Sequence, residues 1–188
     1  MASVKVDIIN RALSRTGNNT ILTETDTTTE AVVALNNYEG IVEDTLSNHP
    51  WKFARKTQSL SLVGSATNSK FKYEWAMPAD VLFLRTVRKT DDIDYEHDAS
   101  SIWCDENQSV YAVYTWRVLE DKWPGYFKEL IVHKLAELFQ TALNEDTNKT
   151  EQADLKMRRH EAVAKNADSR TDRPRDVWKS PLVERHRA

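Results

Sequence analysis

Residues 27–54 read TTTEAVVALNNYEGIVEDTLSNHPWKFA, and the rest of the chain is organised around them. Thr27 and Glu30 have capping-box spacing, so a helix starting here can satisfy its own first amides. Ala31, Ala34, Leu35, Tyr38, Ile41, Val42, Thr45 and Leu46 recur at three- and four-residue steps, which makes one apolar stripe. Pro50 lacks an amide proton and disfavours helix at His49, so the helix stops there. Trp51 and Phe53 follow at once. Two large aromatics behind a helix end fold back onto its stripe and seed a core.

Working outward toward the N-terminus, Ser3 is placed to cap a first helix carrying Val4, Ile8, Ile9, Ala12 and Leu13 on one side, with Gly17 just past its end. Residues 18–26 form a polar loop. The first helix is too short to bury its face alone, so it is expected to pair with the second as a helical hairpin.

Beyond Ala54 the period changes. Residues 59–62 alternate, residues 64–69 read as a hairpin loop, and Phe71, Tyr73 and Trp75 alternate with Lys72 and Glu74 as a half-buried aromatic strand. Pro78-Ala79-Asp80 breaks that strand. Residues 81–88 are expected to be a short helical turn leading into a strand, and residues 91–98 are acidic. Residues 101–104 and 110–116 are expected to form a second hairpin around 105–108. Trp123-Pro124 restores helix, with Phe127, Leu130, Ile131, Lys134, Leu135, Leu138, Phe139 and Ala142 as its stripe. A last helix opens at Thr150-Glu151, with Ala153, Met157, His160, Ala164 and Ala167 on one face.

The expected class is therefore α+β, mainly α: a four-helix body carrying a β-hairpin-rich insertion. Its boundaries are an N-terminal helical pair at 1–54, a β-rich insertion at 55–120, a C-terminal helical pair at 121–169 and an extended docking tail at 170–188. The core-organising residues are Trp51, Phe53, Trp75, Trp123 and Phe127.

Composition narrows the chemistry. Of the 188 residues, 40% are hydrophobic and 29% charged, enough for a core with an ordinary soluble surface. A net charge of −3 provides no global field for nucleic acid or membrane. No apolar run spans a bilayer, and the first residues lack a signal-peptide core, so synthesis in a reducing cytoplasm is expected. The single cysteine, Cys104, excludes an internal disulfide framework and a cysteine zinc cage; it reads as a buried structural thiol. Four glycines leave no phosphate-binding glycine loop.

Asp91, Asp92, Asp94, Glu96 and Asp98 invite a metal reading, but a calcium loop begun at Asp92 would need Gly at His97 and Glu at Trp103. A solvated strand edge is the better reading. The five histidines are scattered without a zincin spacing; His133 and His160 sit on helices and could face each other, but a surface or core histidine is the better reading. Glu43 with Asp44, or Glu145 with Asp146, could supply a hydrolase pair, yet acids on helix faces and ends are normally just solvated. No catalytic, metal or cofactor residue is assigned.

The terminal stretch differs. Arg170, Arg173, Arg175, Lys179, Arg185 and Arg187 face Asp172, Asp176 and Glu184 along a proline-punctuated run with Trp178, Leu182 and Val183. A plain unstructured terminus is one reading. The favoured one is a docking arm that orders on a partner, with Trp178 as anchor and Arg170, Arg173, Arg175, Lys179, Leu182 and Arg185 around it.

Four stretches in order carry a family resemblance. They are Ala12-Leu13-Ser14-Arg15-Thr16-Gly17 with Ile21; Leu46 to Ala54 around Pro50-Trp51-Lys52-Phe53; Tyr73-Glu74-Trp75-Ala76-Met77-Pro78-Ala79-Asp80-Val81-Leu82; and Trp123-Pro124-Gly125-Tyr126-Phe127 followed by Leu135-Ala136. Together they resemble the tail tubular protein A, or head-to-tail adaptor, family of short-tailed bacteriophages. Thr16 and Trp75 depart from the family pattern, and the terminal tail matches no motif.

The resemblance implies a structural virion protein, not an enzyme. It would form a homo-oligomeric ring, a dodecamer, beneath the portal protein. The ring would line the channel for genomic DNA, contact a downstream tail or nozzle protein, and reach the portal with its C-terminal segment. The implied location is the head–tail junction of the virion, after assembly in the host cytoplasm, with no membrane and no cofactor. Two other classes stand beside this one: a virion-associated peptidoglycan hydrolase of the same architecture, and a small nucleic-acid-binding domain.

Overall fold

The computed structural model describes residues 3–66, 70–143 and 147–171. Four helices and seven strands occur there: α1 (Val4–Thr16), α2 (Thr29–Ser47), β1 (Arg55–Ser59), β2 (Leu62–Ser65), β3 (Tyr73–Ala76), β4 (Phe83–Arg88), β5 (Tyr95–His97), β6 (Ser101–Cys104), β7 (Tyr111–Thr115), α3 (Gly125–Ala142) and α4 (Thr147–Ser169). Two antiparallel sheets stand beside the helices, so the expected mainly α class is corrected to a mixed α and β fold. The β content is hard to read in the sequence because β5 is short and β4 and β5 carry arginines and acids, which disguise alternation.

Ser3 caps α1 by accepting the Val6 N–H, and Gly17 closes it at a φ of 77°, where a side chain would be strained. On α1 the buried face includes Val6, while Val4 is exposed. Thr28 rather than Thr27 caps α2, accepting from the Ala31 N–H, and Glu30 instead accepts from the Asn19 amide. Three successive threonines offer the cap at three registers, and the one that aligns the stripe with the core wins.

The expected hairpin of α1 and α2 is also corrected. Both helices pack chiefly on α3, which also carries α4 and is the hub of the body. That role explains why Val132 and Ala136 are buried in addition to the residues of the expected stripe.

The sheets run β1-β7-β4 and β2-β3-β6-β5. The chain passes repeatedly between them. The alternating run 59–62 is not one strand: it holds the end of β1 and the start of β2, with a crossing at Leu60 and Ser61 between them. β6 and β7 are another, so the expected hairpin at 101–116 does not form; β6 pairs with β3 and β5, and β7 with β1 and β4. Ser109, at a φ of 56°, sits in that crossing. The acidic stretch supplies β5, half of a β5–β6 hairpin. Its turn is held by Asp98, whose Oδ1 accepts the Ser100 and Ser101 N–H groups, each at 2.7 Å.

The strand expected within residues 81–88 is β4, and no helical turn leads into it. Leu60, Trp75, Leu84, Val87, Ile102, Cys104, Ala112 and Tyr114 from both sheets form one apolar core. A second, larger core fills the helical body.

Candidate functional site

The Pro50 turn is where the body, the sheets and the end of α4 meet. After Pro50 the chain tightens into a 3-10 turn over Lys52–Ala54 before entering β1. Trp51 is buried, and its indole N–H donates to the Thr45 carbonyl at 2.7 Å. Its ring meets Phe127 edge-on at 5.1 Å; Phe53 and Trp123 contact the same Phe127 ring at 4.8 and 4.9 Å. Four of the five core-organising residues therefore converge. Trp75 does not join them: it lies in the sheet core, its indole N–H donating to the Glu106 carbonyl.

Two charged residues that the sequence reading passed over lock this junction. Asp168, on α4, is buried. Its carboxylate accepts the Lys52 backbone N–H at 3.2 and 3.3 Å and the Tyr126 hydroxyl at 2.8 Å, with His49 Nε2 at 3.6 Å. Lys52 also donates through Nζ to the Ser169 carbonyl at the α4 terminus. Burial, with the Asp168 carboxylate beside it, raises the Tyr126 phenol above its ordinary range; burial lowers the His49 imidazole, against Asp168. Asp168 follows Ala164 by one helical turn. An acid in register with an apolar stripe was the legible signal.

Arg85, on β4, is the second lock. One guanidinium nitrogen donates to the Leu46, Ser47 and His49 carbonyls at 3.3, 3.0 and 2.9 Å, and Nε donates to Thr115 Oγ1. This cation caps the carbonyl end of α2 and ties the first sheet to the body. Asp80, from the Pro-Ala-Asp break, accepts the Tyr114 hydroxyl at 2.7 Å and pairs with Lys56 at 2.6 Å, joining β1 and β7 to the loop before β4.

Of the docking-arm residues, Arg170 is exposed just past α4. Arg173, Arg175, Trp178, Lys179, Leu182 and Arg185 lie outside the described residues. Leu62 and Val63 on the edge strand β2, Phe83 and Tyr111 on the first sheet, and Leu155 and Val163 on α4 present apolar side chains to solvent. Among the hydrolase candidates, Asp44 pairs with Lys134 at 3.5 Å, and Glu145 and Asp146 lie outside the described residues. Cys104 is buried, and burial raises its thiol.

The sequence allows His133 and His160 to face each other but favours plain surface or core histidines; the structure brings them together. Their rings stack with centroids 3.6 Å apart and planes 16° from parallel. They line a cavity of about 610 Å³ with Arg15, Glu129, Gln140, Gln152 and Lys156. An Arg15 N–H points at His133 Nε2 at 2.8 Å, so that nitrogen is the acceptor and Nδ1 carries the proton of the neutral ring. Arg11 and Arg15 both donate to Glu129. Burial, then His160 and Arg15, lowers His133 to about 4. The signal in sequence was weak, because facing across two helices depends on their rotation.

A scan against models of known protein families and a search of curated proteins each found no match for the chain.

Proposed function

We propose that this protein is a structural adaptor of a short-tailed bacteriophage, a ring-forming component that joins the portal to the tail. Its 170–188 segment is the arm that engages the portal. The observation that carries the reading is the junction at Pro50. The motifs around Pro50-Trp51-Lys52-Phe53 and Trp123-Pro124-Gly125-Tyr126-Phe127, which carry the resemblance, meet there in one aromatic cluster, and Asp168 nails the end of α4 to it. The arm thus departs from a rigidly held point. A rigid base limits the ordering cost of docking to the arm itself.

Solvent-facing apolar side chains on β2, the first sheet and α4 supply surfaces for neighbouring copies and for a downstream tail protein. Genomic DNA would pass without sequence-specific contact, in keeping with the net charge of −3.

The test combines the purified chain with portal rings, followed by sedimentation and negative-stain microscopy. The full chain is expected to add a ring of the portal's symmetry. A version ending at Thr171 should melt like the full chain yet fail to co-sediment. Undiminished capture of the shortened chain would remove the arm from the mechanism, and absence of any ring with the full chain would remove the adaptor role.

A further inference from the structure

The cavity between α1, α3 and α4 has no part in the adaptor reading. It is built from cationic and hydrogen-bonding groups around the stacked imidazoles. The charged groups that face those rings are Arg15 from α1, Glu129 from α3 and Lys156 from α4, with Arg11 from α1 paired to Glu129. Glu129 accepts from both arginines and its Oε1 also lies 3.6 Å from His133 Nε2, so one carboxylate is shared among three basic groups. Lys156 has no carboxylate partner among the described residues. Gln140 and Gln152 add amide groups to the wall, and Ala136 and Ala153 leave room by being small. The local balance is positive in a protein that is negative overall.

The imidazole stack adds a second property. Two imidazolium rings with centroids 3.6 Å apart repel, so the stack tolerates at most one proton unless a counter-charge enters. Arg15, donating to His133 Nε2, opposes that proton further. An anion beside Lys156 and His160 would offset both penalties and draw a proton in with it. A cavity of about 610 Å³ exceeds what a bare tetrahedral ion fills and lies within the usual range for small-molecule sites.

We propose that the cavity lined by Arg15, His133, Lys156 and His160 binds a phosphate-class oxyanion, free or as the monoester of a small polar molecule, with uptake of a proton by the imidazole pair. Lys156 supplies the fixed charge, the histidines supply the charge that follows pH, and the glutamines contact the organic part.

The test follows the imidazole proton resonances of the full chain during titration with sulfate, inorganic phosphate and ribose 5-phosphate. Sulfate keeps its charge across the working range and so isolates the protein's own titration. The expected result is a saturable shift of the His133 and His160 resonances together. Sulfate should bind ~10-fold tighter near about pH 5.5 than near about pH 7.5. The exposed Lys156→Gln change should weaken binding ~10-fold while leaving the thermal melt in place. Tighter binding of the sugar ester identifies a monoester site, and equal binding identifies a free-oxyanion site. Shifts that fail to saturate, or that are unchanged by Lys156→Gln, overturn the proposal.

Discussion

Asp168 is the residue on which the most depends. A buried carboxylate is costly unless donors surround it, and here a backbone N–H and a phenol do so. Asp168→Ala strands both donors in the interior. It is expected to cost about 2–4 kcal/mol of unfolding free energy, read by urea denaturation. Asp168→Asn keeps an acceptor oxygen and should lose about half as much; equal losses in the two variants would show that charge, not acceptance, matters. His133 sets a pH dependence at the same scale. Its folded value is about 4, below the ordinary 6.5, so the unfolded chain takes up a proton that the folded chain refuses. Its contribution is intact above 6.5 and is lost as pH falls from 6.5 to about 4. Urea midpoints measured across that window should decline less in His133→Gln than in the parent.

At the scale of elements, the end of α2 shows how two devices share one task. Pro50 stops the helix, and Arg85 from β4 satisfies the carbonyls that the stop leaves bare. Arg85→Met retains the stem but removes the donors; a loss of about 1–3 kcal/mol is expected, and a neutral result would mean that water serves those carbonyls equally well. At the other end of α2, Thr28→Ala should cost about 1 kcal/mol while Thr27→Ala should cost almost nothing. That contrast separates the cap seen in the fold from the one that capping-box spacing suggested. The acidic stretch at β5 belongs here too. Asp98 turns the chain, and Glu96 lies 2.6 Å from Lys70, which is the work of an edge hairpin.

For the whole molecule, two cores meet at Trp116, which packs against both and donates its backbone N–H to the Ala54 carbonyl. Trp116→Ala should uncouple them. Amide exchange in β4 and β7 is expected to speed up more than in the centre of α3; uniform acceleration would show a single cooperative unit instead. The sequence by itself determined the helices, their stops, the aromatic anchors Trp51, Trp123 and Phe127, and the aromatic strand around Trp75. Those signals are local: hydrophobic period, caps, and the missing amide of proline. Only the tertiary structure decided which strands pair, since β6 and β7 each alternate well enough to have been neighbours. It also decided that α3, not α2, is the hub, and that His133, His160, Asp168 and Arg85 matter. Each of those four acts through a partner at least 27 residues away in the chain. Such a pairing depends on helix rotation and sheet placement, which no local pattern encodes.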